Sequence, residues 1–177
     1  MNKIKSIYLQ WLMLMALVFQ APPAFRTANN EGIAGTHKQA NSKMADATWA
    51  NRHSLVQIGS DANHVNLCNQ ATEPYGFTQD APAAAGDIIQ VEFLSSRVGT
   101  ILLLFTGAGA QMQGVYTSST PGYVQAGVPA AAGTYWRVGK TKEATQETQD
   151  GEYLAEVEPQ APQKVLIDGN GNATLTI

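Results

Sequence analysis

AAAGDIIQVEFLSSRVGTILLLF, residues Ala83–Phe105, is the stretch on which the fold turns. Two runs rich in apolar and β-branched residues, Asp87–Leu94 and Thr100–Phe105, flank a short polar turn, Ser95–Gly99. That arrangement predicts a β-hairpin. In the first run Ile88, Gln90 and Glu92 alternate with Ile89, Val91 and Phe93, which makes one face drier than the other. The second run, Ile101-Leu102-Leu103-Leu104-Phe105, is apolar throughout and is expected to be buried on both faces. This is the best core seed in the chain, but a core seed carries no chemistry.

Outward from it the strand rhythm continues in both directions. Leu55–Ile58, His64–Cys68 and Glu73–Thr78 precede it. Gly114–Thr117, Tyr123–Gln125, Thr134–Lys140, Glu152–Val157 and Lys164–Ile167 follow, and Leu175 and Ile177 suit a last edge strand. Turn residues separate these runs at intervals of about 8–12, the spacing of a sandwich or barrel. No segment after Ser54 carries a 3.6-residue period. The fold class expected is all-β, a small β-barrel or sandwich of short antiparallel strands with an extended N-terminal arm. Gly86, Gly133 and Gly151 each stand just before a strand. Either an ancestral duplication or repeated turn chemistry accounts for that recurrence.

Before Ser54 the character changes, which divides the chain into residues 1–24, 25–53 and 54–177. Residues 25–53 are polar, rich in Asn, Ala and Gly, and lack apolar periodicity, so they read as an extended arm. Met44–Ala50 has room for two helical turns but no strong cap. His37 and His53, far apart in that arm, read as solvated residues and not as metal ligands. Residues 1–24 put Lys3 and Lys5 before an apolar run, Ile7–Phe19. That pattern fits a secretory signal, and the run is short for a transmembrane helix. Phe19-Gln20-Ala21 and Pro22-Pro23-Ala24 are poor cleavage sites. A signal, a retained hydrophobic arm and a misplaced start all remain open.

Composition excludes some functions. Eleven Lys and Arg face fourteen Asp and Glu, a net charge of −3. Lys3, Lys5 and Arg26 lie in an acid-free start, so the remainder carries eight basic against fourteen acidic groups. With no basic cluster to neutralise phosphates, nucleic-acid binding is disfavoured. Cys68 is the single cysteine, which rules out an intramolecular disulfide and a four-thiolate zinc site. It reads as a small buried hydrophobe.

Several motifs fall short of chemistry. Gly133 and Gly139-Lys140-Thr141 imitate a phosphate loop, yet five residues separate the glycines where four are needed, and Tyr135, Trp136 and Val138 among them suit a strand. Gly107-Ala108-Gly109 lacks the third glycine of a dinucleotide loop. Asp168-Gly169-Asn170-Gly171-Asn172 starts like a calcium loop, but Ala173 replaces its glycine and no bidentate Glu follows. Asn172-Ala173-Thr174 is a formal glycosylation sequon, relevant only in a eukaryotic secretory pathway. Ser60, Asp61 and His64 share one turn, where Asp61 is better suited to capping backbone N–H groups than to a triad. Glu152, Glu156 and Glu158 alternate along one strand and read as a solvated edge. No catalytic residue, metal ligand or cofactor site is assigned, and an enzyme is not expected.

Several stretches taken in order resemble the capsid cement, or decoration, proteins of tailed bacteriophages, some of which carry a recombinase-like label. Glu31-Gly32, Ala45-Asp46-Ala47 and Arg52 are similar to that family's arm. Gly59–Val65 is similar to its first turn, followed by Pro74, Gly76, Asp80 and Ala84–Asp87. Gly133–Gly139, Asp150-Gly151-Glu152 and Val157-Glu158-Pro159 match its later strands. The resemblance implies a non-enzymatic virion protein on the capsid exterior, a homo-oligomer (trimer or dimer) whose partner is the major capsid protein. It implies no cofactor, no nucleic acid and no membrane for the mature domain. The capsid-contact candidates are arm residues Glu31, His37, Asp46, Trp49 and Arg52, with residues 27–53 draped over the shell. The rival reading is a secreted or periplasmic β-sandwich binding carbohydrate or another surface ligand on Trp136, Tyr135, Tyr123 and Tyr116.

Overall fold

A computed structural model describes residues 40–94 and 99–176. All regular structure among them is β, in twelve strands: β1 Ala40–Ala45, β2 Ser54–Ile58, β3 His64–Leu67, β4 Gly76–Thr78, β5 Ile88–Phe93, β6 Ile101–Phe105, β7 Gly114–Thr117, β8 Val124–Ala126, β9 Gly133–Thr141, β10 Gln146–Glu147, β11 Tyr153–Ile167 and β12 Ala173–Leu175. The all-β expectation holds.

Strands β1 to β5 close a barrel in the order β1-β3-β2-β4-β5. Ala45, Trp49, Val56, Val65, Ile89 and Val91 fill it. The second ladder returns on itself as well. β6 pairs with β8, β8 with β7, β7 with β9, β9 with β11, and β11 back with β6. Leu103, Phe105, Val115, Val124, Val138, Ala155 and Val157 pack within this second ring.

The two rings repeat one topology. In each, the first and third strands pair in parallel (β1 with β3, β6 with β8) and every other pairing is antiparallel. Local chemistry repeats too. Gly76-Phe77-Thr78 in β4 and Gly139-Lys140-Thr141 in β9 lie against Val91-Glu92-Phe93 and Val157-Glu158-Pro159, with Gly76 opposite Phe93 and Gly139 opposite Pro159. A Cβ at Gly76 would sit 2.4 Å from the Glu92 carbonyl oxygen, and one at Gly139 would sit 2.3 Å from that of Glu158. Both positions thus need glycine for backbone approach. Gly86 (φ 89°) and Gly151 (φ 78°) turn the chain into the fifth strand of each ring, β5 and β11. Of the three recurring glycines, Gly86 and Gly151 thus hold equivalent places in a repeated unit, whereas Gly133 is the first residue of β9.

The expected hairpin does not form. β5 pairs with β1 and β4, whereas β6 pairs with β8 and β11. Both edges of each strand are taken, so Ala83–Phe105 carries the chain from one ring to the next. Most of the expected turn, Ser95–Val98, lies outside the described residues. The burial pattern survives this change over four residues, with Ile89 and Val91 inward and Ile88 and Gln90 exposed, and fails at the end, where Glu92 is buried and Phe93 only half-buried. In β6, Leu103 and Leu104 are both fully buried although they face opposite ways, because β2 of the first ring lies against β6.

The domain boundary moves as well. Residues 40–53, expected in the arm, belong to the first ring. β1 is wedged between β3 and β5, and it takes up Met44 and Ala45 of the Met44–Ala50 segment that had room for a helix, the rest of which is not helical. The rest of the expected arm (25–39), with Glu31 and His37, lies outside the described residues, as do residues 1–24. Strand length and pairing also differ from the expected short antiparallel set: β11 runs for 15 residues, and two pairings are parallel.

The rings meet through Leu55, Cys68, Phe77 and Leu94, which join the core of the second ring. On one side of the joint, Leu55 N–H donates to the Gly122 carbonyl and Gly122 N–H to the Cys68 carbonyl, both at 2.8 Å. On another side, Leu104 N–H donates to the His53 carbonyl at 3.2 Å.

Candidate functional site

The segment that leads the chain into the first ring is the place to look, because the resemblance puts its contact residues there. Asp46 follows β1 and accepts hydrogen bonds from Ser60 N–H at 2.6 Å and Ser60 Oγ–H at 2.7 Å. A Cβ at Gly59 would lie 2.0 Å from Asp46 Oδ2, so the turn can close over the carboxylate only with glycine there. Backbone bonds from Met44 to Asn63, Ala45 to Asp87, Asp46 to Val65 and Gly86 to Ala45, all 2.8–2.9 Å, tie the same segment down on both sides. Lys43 Nζ donates to the Ala62 carbonyl and stands 5.3 Å from the centre of the Tyr75 ring.

Of the contact candidates within the described residues, Asp46 is thus committed to the Gly59–Ser60 turn. Trp49 is turned into the barrel with 9% of its surface exposed, which corrects its placement on a contact surface. Arg52 alone stays exposed, beside a cleft shared with Asp150 and Glu152. His53 is also corrected. It is half-buried with φ 58°, and no hydrogen-bond partner reaches its buried Nδ1 among the described residues. Its sequence context, a polar run, gave no signal of this.

The near-motifs fold into structural tasks. Asp61 Oδ1 lies 2.8 Å from His64 Nδ1 and accepts Asn63 N–H at 2.7 Å, which draws its carboxyl below the usual range. Ser60 Oγ is engaged by Asp46 instead, so no serine–histidine relay is assembled. Cys68 is buried, and desolvation pushes its thiol up to about 12, far from a reactive thiolate. Gly133–Thr141, the phosphate-loop look-alike, is strand throughout. Asp168 accepts N–H bonds from Asn170 and Asn172 and one from the Asn172 side chain, and these bonds hold its carboxyl below the usual range. Glu156 faces Lys142 Nζ at 3.5 Å, and Glu158 is paired in register with Lys140. Glu156 thus meets a lysine, whereas Glu152 lies apart from these two, in the cleft with Arg52 and Asp150.

The four aromatics of the rival reading do not share a surface. Tyr116 and Tyr135 are buried with Val165 and Ile167. Trp136 Nε1–H donates to the Ala71 carbonyl at 3.2 Å, and the Tyr123 hydroxyl accepts from Asn51 Nδ2. No stacking platform results.

No family model matches the sequence, and no curated protein matches it.

Apart from Ile88, whose place on the wetter face was legible, sequence reasoning missed a set of outward apolar side chains. Ile88 is 74% exposed across the ladder from Met44, and Met112, Val128, Leu166 and Leu175 are each more than half exposed. Scattered apolar surface of this kind is common on soluble proteins; Leu175 also lines an open pocket with Trp136, Pro162 and Lys164.

Proposed function

We propose that this protein is a non-enzymatic cement protein that binds the exterior of a tailed-phage capsid and stabilises its lattice as a homo-oligomer. The observation that carries the reading is where the family-like stretches fall. Asp46 with Gly59-Ser60, Gly76, Ala84–Asp87, Gly139 and Asp150–Glu152 occupy the latches, turns and close approaches on which both rings depend. The resemblance therefore lies in positions that specify the body, not in a scatter of Gly and Ala.

The division of labour follows from β1. Residues 25–39 contact the major capsid protein, and their attachment point is a strand bonded on both sides within a closed ladder. A pull on that segment along the strand loads several ladder bonds together, which suits a tether that must resist an expanding shell. Arg52 extends the contact from the body. Residues 40–53 hold the ring together and leave the drape to the residues before them.

The test compares the full chain with a form beginning at Ala40 in sedimentation with expanded capsids lacking the protein. The full chain is expected to co-sediment and the truncated form to stay in solution with an unchanged melting transition. Equal binding by both would refute the arm's role. Failure of the full chain to bind capsids, with its absence from purified virions, would refute the cement reading itself.

A further inference from the structure

His53 lies in the connection between Trp49, buried in the first ring, and β2, and its carbonyl reaches the second ring. Its backbone takes a left-handed φ of 58°, uncommon outside glycine, with asparagine, aspartate and histidine the readier exceptions. That turn aims its carbonyl at β6, where it accepts the Leu104 N–H at 3.2 Å. The imidazole stands between two spaces. One is a cavity of about 140 Å³ that it shares with Phe77, Gln79 and Glu92 beside β6. The other is the open cleft with Arg52, Asp150 and Glu152.

Buried Nδ1 has no hydrogen-bond partner among the described residues. A neutral ring tolerates this, since Nδ1 can be the unprotonated nitrogen. A protonated ring cannot, because it would bury an N–H with no acceptor, which is strongly disfavoured. The charged groups around it divide. Arg52 opposes the cation, whereas Asp80 and Glu152 favour it. Glu92 lines the cavity with Oε1 already accepting from Gln79 Nε2 at 2.7 Å, and Asp150 lines the cleft.

We propose that the His53–Leu104 edge of the joint between the two rings is a proton-operated latch. It is closed around the neutral imidazole and released when the ring takes a proton and turns toward Asp150 and Glu152 in the cleft. The Gly122 side of the joint keeps its two backbone bonds and serves as the pivot.

The direction of the pH effect follows from the burial. Desolvation first, then Arg52, holds the ring below the ordinary histidine value of 6.5. The open form, with a more ordinary imidazole, therefore binds the proton first. The closed edge is fully favoured above about 6.5 and loses its advantage as the pH falls toward the folded value.

Amide hydrogen exchange on the full chain between pH 8 and pH 5, corrected for intrinsic rates, tests this. The opening constant of the Leu104 amide should rise on acidification, by no more than about tenfold per pH unit, the limit for one proton. The Gly122 amide should stay level. His53→Asn, which accepts a left-handed backbone and does not titrate, should abolish the rise. His64→Gln, at the exposed end of the first ring, should leave it intact. Direct titration of the His53 ring by NMR in the unsubstituted protein gives a second reading that needs no variant to fold. A Leu104 opening constant independent of pH, an unchanged rise in His53→Asn, or a His53 ring titrating at or above the ordinary value would each overturn the proposal.

Discussion

Gly139→Ala offers the sharpest test of the closed second ring. The new methyl would stand 2.3 Å from the Glu158 carbonyl oxygen and 2.7 Å from Val157 Cγ1. Ordinary contact begins near 3.4 Å, so the overlap with backbone is about an ångström. The carbonyl lies one residue past the end of the β11–β6 pairing, at Val157–Ile101, so its retreat would pull on the end of a second ladder. Overpacking of this sort costs about 1–3 kcal/mol. Alanine returns up to about 1 kcal/mol by restricting the unfolded chain. A net loss of about 0–3 kcal/mol relative to the unsubstituted chain remains, and the full cost of about 1–3 kcal/mol, roughly 2–12 °C in melting temperature, shows against a control that shares the unfolded-state gain. Gly76→Ala, in the equivalent place of the first ring, meets the Glu92 carbonyl at 2.4 Å and should cost a similar amount. Gly107→Ala is the control, since a Cβ there meets nothing within 4 Å, and it should be neutral or slightly stabilising. Calorimetry or urea unfolding of the three variants decides the matter. If Gly139→Ala and Gly76→Ala melt with Gly107→Ala, the close strand approach, and with it the matched construction of the rings, is wrong.

Trp49→Ala should destabilise the protein by about 3–5 kcal/mol, as for a large buried aromatic. Trp49→Phe should cost far less, because the indole N–H has no hydrogen-bond partner to lose among the described residues; both are read by urea unfolding, and a neutral Trp49→Ala would return this residue to the surface. Cys68 should resist a thiol reagent at pH 8 until denaturant is added, and rapid labelling of the folded chain would contradict its burial. Asp168 is held below its ordinary value of 3.8 in the folded state, so its contribution to stability is present above that value and is lost as the pH falls through the folded one. An NMR titration should find its carboxyl low, and Asp168→Asn should soften the acid dependence of unfolding.

What could be read in advance was what a strand writes locally. The alternation that buries Ile89 and Val91 and exposes Ile88 and Gln90 is visible in six letters, as is the two-sided burial of Leu103 and Leu104. Which edge a strand takes is a non-local matter. Ser95–Gly99 has the length of a hairpin loop, yet β5 and β6 find their partners elsewhere. Ala40–Ala45, sequence ANSKMA, has little intrinsic strand preference and becomes one because β3 and β5 offer it two edges. Trp49 was the available clue, a lone large aromatic in a polar run that needed somewhere dry to go. His53 left none, because a left-handed backbone and a shared interface depend on residues from distant parts of the chain.

The handover from β5 to β6 has a practical consequence. Every pairing of the first ring uses residues before 94 and every pairing of the second uses residues after 99, so a cut between them severs no ladder. Two separately made halves would each possess a full set of strands, while Leu55 and Phe77 would be left as sticky apolar faces seeking their lost mate. The molecule is thus suited to fragment complementation, with reassembly reporting on the strength of the seam.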